Sequence, residues 1–195
     1  MIDEFKTIKD KSEGTYSELR SKFLAFAHHV TSVEEAMSLV EQYQKQYYDA
    51  RHVCWAYMLG AEREIFRSND NGEPSGTAGK PILGQINSNE LTDIIILVVR
   101  YFGGVKLGTS GLIVAYKTAA AEAISNAEIE TRTVDEEYTF CFEYPLMNSV
   151  LKVARDLDAC IVSQSYDMDC KMTLSIRKGK MQELQEKIKK ALSPF

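Results

Sequence analysis

Three short stretches of this 195-residue chain concentrate the residues able to do chemistry. The first, "RSNDNGEPSGTAGKP", sets Asp70, Glu73 and Thr77 among Gly72, Pro74, Gly76 and Gly79, with Arg67 and Lys80 on its flanks. Two carboxylates this close in sequence can hold a cation or share acid and base roles. The same composition also builds a hairpin tip of fixed shape, whose Asx turns satisfy its own backbone. No nucleophile–base pair stands beside it, which favours a binding surface over catalysis.

The second stretch, "LVVRYFGGVKLGTSG", joins a wholly apolar run to an alanine-rich helical pattern through Gly103, Gly104, Gly108 and Thr109, with Arg100 and Lys106 beside the turn. A nucleotide-binding P-loop requires lysine after its last glycine, where this chain has Thr109, and the dinucleotide pattern GxGxxG does not fit either. Backbone amides at a helix start remain. They can hold an oxyanion or a length of sugar–phosphate backbone. The competing reading is that the glycines only let a tight turn pack under the first loop. Arg100 ends a buried strand, so contact with phosphate and pairing with Asp70 or Glu73 inside the domain are both open. In the third stretch, "HVCWAY", His52 and Cys54 share a strand face. Neighbours two apart rarely form a working thiol–base pair, and no third group orients them, so both read as structural. His28 and His29 are adjacent and face opposite ways. No metal site or cofactor is expected from the three scattered histidines and four scattered cysteines.

The elements that must position these residues are legible from periodicity. Residues 15–30 read as strand with a turn near Arg20–Ser21, and "SVEEAMSLVEQYQKQYY" as an amphipathic helix opened by Ser32 and Glu35 in capping-box spacing. "HVCWAYMLG" and "EIFRSND" read as two strands turning at Ala61–Arg63, and "PILGQINS" as a short helix with Pro81 in its first turn. "IIILVV" has no polar alternation, which predicts a central strand covered on both faces. A helix from about Thr109 to Asn126 is expected to bury Leu112, Ile113, Tyr116, Ala119, Ala120 and Ala123. Beyond Glu128 follow a strand, a helix after Pro145, a hairpin around Asp167 and a closing helix. That order is β-α-β-β-α, ferredoxin-like. Domains of 1–134 and 135–195 are expected.

Bulk properties exclude several classes. A hydrophobic content of 45% supplies a packed core, and the net charge of −5 argues against a generic polyanion binder while leaving room for a local basic patch. No apolar run reaches the roughly 18 residues of a membrane span, and the charged N-terminus has no signal-peptide core. Cys54, Cys141, Cys160 and Cys170 form no CxxC pair and read as reduced thiols of a cytoplasmic protein.

The motifs "SKFLAFA", "RHVCWAY", "RSNDNGEPSGTAGKPIL" and "VVRYFGGVKLGTSGLIVAY" resemble, in order and spacing, those of the YigZ/Impact family over about residues 15–125. The resemblance implies an α+β protein. Its N-terminal two-layer α/β domain would be like the second domain of a small-subunit ribosomal protein and of elongation factor G, and a small ferredoxin-like domain would follow. Ser110 and Val114 depart from the family pattern, which usually has glycine and a basic residue there. Eukaryotic Impact proteins regulate translation, which implies a non-catalytic role in translation, with RNA, the ribosome or a protein as partner. The candidate surface is Arg67, Lys80, Arg100 and Lys106 with the amides of the two glycine-rich loops. The lysines of the closing helix, Lys178, Lys180, Lys187, Lys189 and Lys190, are either a second contact or a solvated face suited to the helix dipole. The rival reading is a peptidase-like hydrolase using Asp70 and Glu73, with His52 or a metal assisting.

Overall fold

The computed structural model describes residues 2–166 and 170–193. It is a mixed α+β protein that divides into two compact units, one of Phe5–Arg132 and one of Met1–Glu4 with Thr133–Phe195. The larger unit is built on a five-stranded sheet in the order β2-β3-β6-β4-β5. Its strands are β2 (Ser12–Glu18), β3 (Ser21–His29), β4 (His52–Leu59), β5 (Ile65–Asn69) and β6 (Ile94–Tyr101), and every neighbouring pair is antiparallel. β1 (Glu4–Ile8) pairs with β7 (Ile129–Thr133) in a separate two-stranded sheet.

β6 occupies the middle of the large sheet, and Ile94 to Val99 are fully buried. Its even-numbered residues face a core that includes Cys54, Ala56 and Phe23, and this face is covered by α2 (Gly79–Ser88) and α3 (Gly108–Ser125). Its odd-numbered residues face Trp55, Tyr57 and α1 (Val33–Gln46). The continuous apolar run is thus explained by helices on both faces, with α1 added as a further layer on the side opposite α2 and α3. α1 begins as its spacing predicts. Ser32 Oγ accepts from the Glu35 amide at 3.1 Å, and Glu35 Oε2 accepts from the Thr31 amide at 2.7 Å.

α3 buries Leu112, Ala115, Tyr116, Ala119, Ala120, Ala123 and Ile124. Ile113, expected in this core, is instead 41% exposed. One residue beyond Leu112 on a 3.6-residue helix is a rotation of about 100°, which carries Ile113 off the buried stripe.

The second unit places β8 (Asp135–Phe142), α4 (Met147–Asp156), β9 (Cys160–Tyr166), β10 (Cys170–Arg177) and α5 (Met181–Leu192) in the expected order. Its antiparallel sheet runs β8-β10-β9. Met172, Leu174, Leu184, Ile188 and Val150 form the centre of its core. Asp167, expected at the hairpin tip, lies outside the described residues. Residue Asp3 belongs to this unit and accepts from the Gly179 amide at 2.8 Å. That bond, with Arg177 adding a charged partner, holds the Asp3 carboxyl below its ordinary range. All four cysteines are free thiols, Cys54 and Cys170 buried, Cys141 and Cys160 exposed.

Candidate functional site

The site is assembled where β4 begins and β6 ends. Because the two strands are antiparallel, His52 lies opposite Arg100, and the Arg51 amide donates to the Arg100 carbonyl at 3.1 Å. The chain then leaves β6 through Phe102–Leu107 and enters α3. Gly103 is required here by contact: a Cβ on it would collide with the Arg20 and Ser21 backbone at the β2–β3 turn. Gly108 has φ +72°, in the region that favours glycine, and lets the chain turn into the helix. No side chain caps α3, so the amides of its first turn are left without a side-chain acceptor.

The Arg67–Pro81 loop is fixed from within. The Asp70 carboxylate accepts from the amides of Gly76, Ala78 and Gly79 at 2.9, 3.0 and 2.8 Å, capping the start of α2 from the preceding loop. Burial works to raise the Asp70 carboxyl, but these amides, with Lys80 adding charge, outweigh it and hold the group below its ordinary range. Asn71 Oδ1 accepts from the Val53 amide at 2.8 Å, and the Asn71 carbonyl accepts from His52 Nδ1 at 2.7 Å. Gly79 passes close to the Asn69 backbone, where a Cβ would not fit without a shift.

This loop delivers Glu73 into the interior. Its side chain is 3% exposed, and Oε1 accepts from Arg100 Nη1 at 2.6 Å and from the Tyr116 hydroxyl at 2.8 Å. His52 Nε2 lies 3.7 Å from Glu73 Oε2. With Nδ1 donating to a carbonyl, Nε2 is the ring nitrogen that faces the carboxylate. The Arg100 guanidinium lies 5.6 Å from the centre of the Phe23 ring and 5.7 Å from that of Phe102. Behind Glu73, Cys54 Sγ sits 3.0 Å from the Asp70 carbonyl and 3.3 Å from the Tyr116 hydroxyl. Burial pushes the Cys54 thiol and the Tyr116 hydroxyl far above their ordinary ranges, so neither supplies an anion for chemistry.

In front of this network opens a cavity of about 480 Å³. Arg51, His52, Arg100, Lys106 and the start of α3 at Gly108–Thr109 supply its polar wall; Phe102, Leu107, Leu112 and Pro74 supply its apolar wall. Of the residues singled out from sequence, the cavity brings together Gly72, Glu73, Pro74, Arg100, Lys106, Gly108 and Thr109. It is not lined by Arg67, Lys80, Gly103, Gly104, Asp70, Gly76, Thr77 or Gly79. Arg67 stands on the outer strand β5 opposite Tyr57, with its guanidinium 5.9 Å from the centre of the Trp55 ring, on the sheet face that carries α1. Lys80 is exposed on α2, and Gly104 extends the turn at φ +88° without touching the wall. Arg100, left open between phosphate contact and internal pairing, is buried and paired with Glu73. The cavity also takes in His52, which the local sequence gave a structural reading, and Arg51, which it did not mark at all. The signal for them is strand register, which puts the first residues of β4 beside the end of β6.

The two carboxylates considered for metal or acid–base work do not face one another as a free pair. Asp70 is engaged by three amides and Glu73 by Arg100 and Tyr116. Among the described residues no three His, Cys, Asp or Glu side chains come together as a ligand set.

Residues 19–124 match the family model described as the Impact N-terminal domain, more than half of the chain. The chain belongs to the IMPACT family. IMPACT family member YigZ of Escherichia coli (strain K12) is 32% identical over 171 residues, covering 87% of this chain and 84% of that protein. An IMPACT family member of Thermus thermophilus is 39% identical over 142 residues, 72% of this chain and 76% of its own length. A crystal structure described as that of a hypothetical protein is 29% identical, with a TM-score of 0.73 over 97% of this chain and 93% of that one. The cavity lies wholly within the part matched by the Impact N-terminal domain. No helix among the described residues is long and apolar enough to cross a membrane.

Proposed function

We propose that this IMPACT-family chain is a non-catalytic, cytoplasmic binding protein of translation control, and that it engages phosphate groups of RNA or of a ribosome-associated partner at the cavity. One observation carries this reading. In a chain of net charge −5, the cavity holds two cations, Arg51 and Lys106, that form no ion pair among the described residues, next to the uncapped start of α3. The third cation, Arg100, offsets the charge of Glu73. Uncompensated positive charge beside free helix amides attracts oxyanions. The link to translation is carried over from the resemblance of the four motifs to a family whose eukaryotic members regulate it. We treat residues 1–134 and 135–195 as two domains, the first of which does the binding.

Binding of the purified protein to ribosomal subunits and single-stranded RNA, measured across a salt series, tests this. Each phosphate contact is expected to add about 0.7–0.9 to the slope of log affinity against log salt. Lys106→Gln lowers affinity and flattens the slope by about one contact, whereas Arg67→Gln and Lys80→Gln leave it unchanged. Absence of binding to subunits and RNA at low salt overturns the reading.

A further inference from the structure

Among the described residues, β9 (Cys160–Tyr166) alone of the strands is exposed along its whole length. Its sequence, CIVSQSY, combines the strand formers Ile161, Val162 and Tyr166 with no charged residue at all. Those three side chains are 44%, 51% and 50% exposed. No residue of β9 belongs to the core of the second unit, which is drawn from β8, β10 and the two helices. In the order β8-β10-β9 the strand pairs with β10 and ends the sheet, so its outer backbone groups have no strand partner among the described residues. The two edges of this sheet differ in chemistry. β8, at the opposite edge, carries Asp135, Glu136 and Glu137, charges that keep a further strand away. β9 has no such guard. Its one irregularity is the extra residue Val162 where Thr173 is followed by Leu174, and Ser163 to Tyr166 stay in regular register with Thr173 to Cys170. A neutral, exposed edge with Ile, Val and Tyr is a template for another strand.

We propose that β9 pairs antiparallel with β9 of a second copy of this chain, joining two three-stranded sheets into one continuous sheet. Neutrality favours that occupant, because an acidic or basic strand repels its own copy and CIVSQSY does not. Residues 135–195 hold nine Lys and Arg against ten Asp and Glu, so net charge does not keep two copies of this unit apart. Antiparallel pairing of identical strands has two-fold symmetry. The register with Gln164 on the axis sets Tyr166 beside Val162 of the second copy, an aromatic–β-branched pair of the kind that stabilises sheets. The assembly closes at two copies, since the edges then left free are the acidic β8 strands. One short strand from each copy makes a small interface, so the dimer is weak. This pairing involves the second unit only and stands or falls separately from phosphate binding in the first.

Sedimentation velocity of the full chain at protein concentrations from about 1 µM to about 1 mM, the range in which small interfaces associate, tests the pairing. The wild type should pass from monomer to dimer with no larger species. Gln164 is exposed and outside the core, so Gln164→Lys and Gln164→Glu should keep the wild-type melting temperature. Each variant alone sets like charges face to face across the axis and should weaken self-association at least about tenfold. Mixed in equal amounts, the two variants should associate at least as tightly as the wild type, because opposite charges then meet. A wild type that stays monomeric across the range, or variants that dimerise as the wild type does, overturns the proposal. Loss of the dimer in both variants with no recovery in the mixture also overturns it, since Gln164 would then not meet its own copy. Growth of the wild type beyond the dimer would contradict closure by the acidic edges.

Discussion

Replacing Arg100 by methionine should destabilise the protein severely, and replacing Glu73 by glutamine in the same chain should restore much of the loss. The two side chains are 7% and 3% exposed and their charged atoms are 2.6 Å apart. Arg100→Met keeps much of the apolar stem but leaves the Glu73 carboxylate buried with the Tyr116 hydroxyl as its remaining donor. Removing one partner of a buried pair costs about 3–5 kcal/mol, because the remaining charge has lost its compensation. Glu73→Gln alone keeps an acceptor for Tyr116 but strands the guanidinium, at a cost of about 2–4 kcal/mol. In the double variant no buried charge is left, and well-packed neutral replacements of buried pairs are often close to neutral. The pairing therefore implies strong non-additivity: the double variant should be more stable than the sum of the single changes by at least about 2 kcal/mol. Urea denaturation of the four proteins, followed by the fluorescence of buried Trp55, measures it. Additivity within about 0.5 kcal/mol, as found for residues that do not interact, would refute the pairing.

Two further outcomes follow from the environments of single groups. Burial, assisted by the nearby Lys11 and opposed by Glu13, lowers the His28 pKa from 6.5 to about 4, and His28 Nε2 is 2.8 Å from the Tyr43 hydroxyl. Between pH 4 and 6.5 the unfolded chain thus binds a proton at His28 that the folded chain does not, so this residue's share of stability rises with pH and is lost as pH falls through that window. The ring is half-buried, which reduces the expected swing to about 1–2 kcal/mol, read as the difference between wild type and His28→Gln in urea melts at pH 4.5 and 7. A matching pH slope in both proteins would contradict this. For the thiols, Cys141 and Cys160 are exposed while Cys54 and Cys170 are buried, so a disulfide-exchange reagent should titrate two thiols rapidly in the native protein and four after denaturation. Rapid native labelling of Cys54 would show that the Glu73–Tyr116 network is more open than described.

What could be read from the sequence was whatever depends on near neighbours along the chain. The unbroken run of β6 announces a central strand, the Ser32–Glu35 spacing announces the start of α1, and the glycines of 103–111 announce a close turn, since each signal resides within a few residues. What could not be read depends on which strands pair and in what register. Arg51 and His52 become part of the cavity only because β4 runs antiparallel to β6. Arg67 leaves the candidate surface because its place opposite Tyr57 puts it on the α1 face. Charge alone identifies Arg67, Lys80, Arg100 and Lys106 as equals. Burial separates Arg100 from the rest and gives it to Glu73, a choice that the sequence narrowed to Asp70 or Glu73 and that the amides claiming Asp70 decide.

If a partner's phosphates meet this protein at the cavity between β4, β6 and α3, backbone hydrogen exchange read by mass spectrometry with and without RNA will locate them there. Slower exchange is expected at residues 104–111 and 71–75, where free amides and loop backbone line or adjoin the site, with no change in α5. Protection confined to α5, around Lys187, Lys189 and Lys190, with none at 104–111, would contradict it and place the contact on the lysine-rich face of the closing helix.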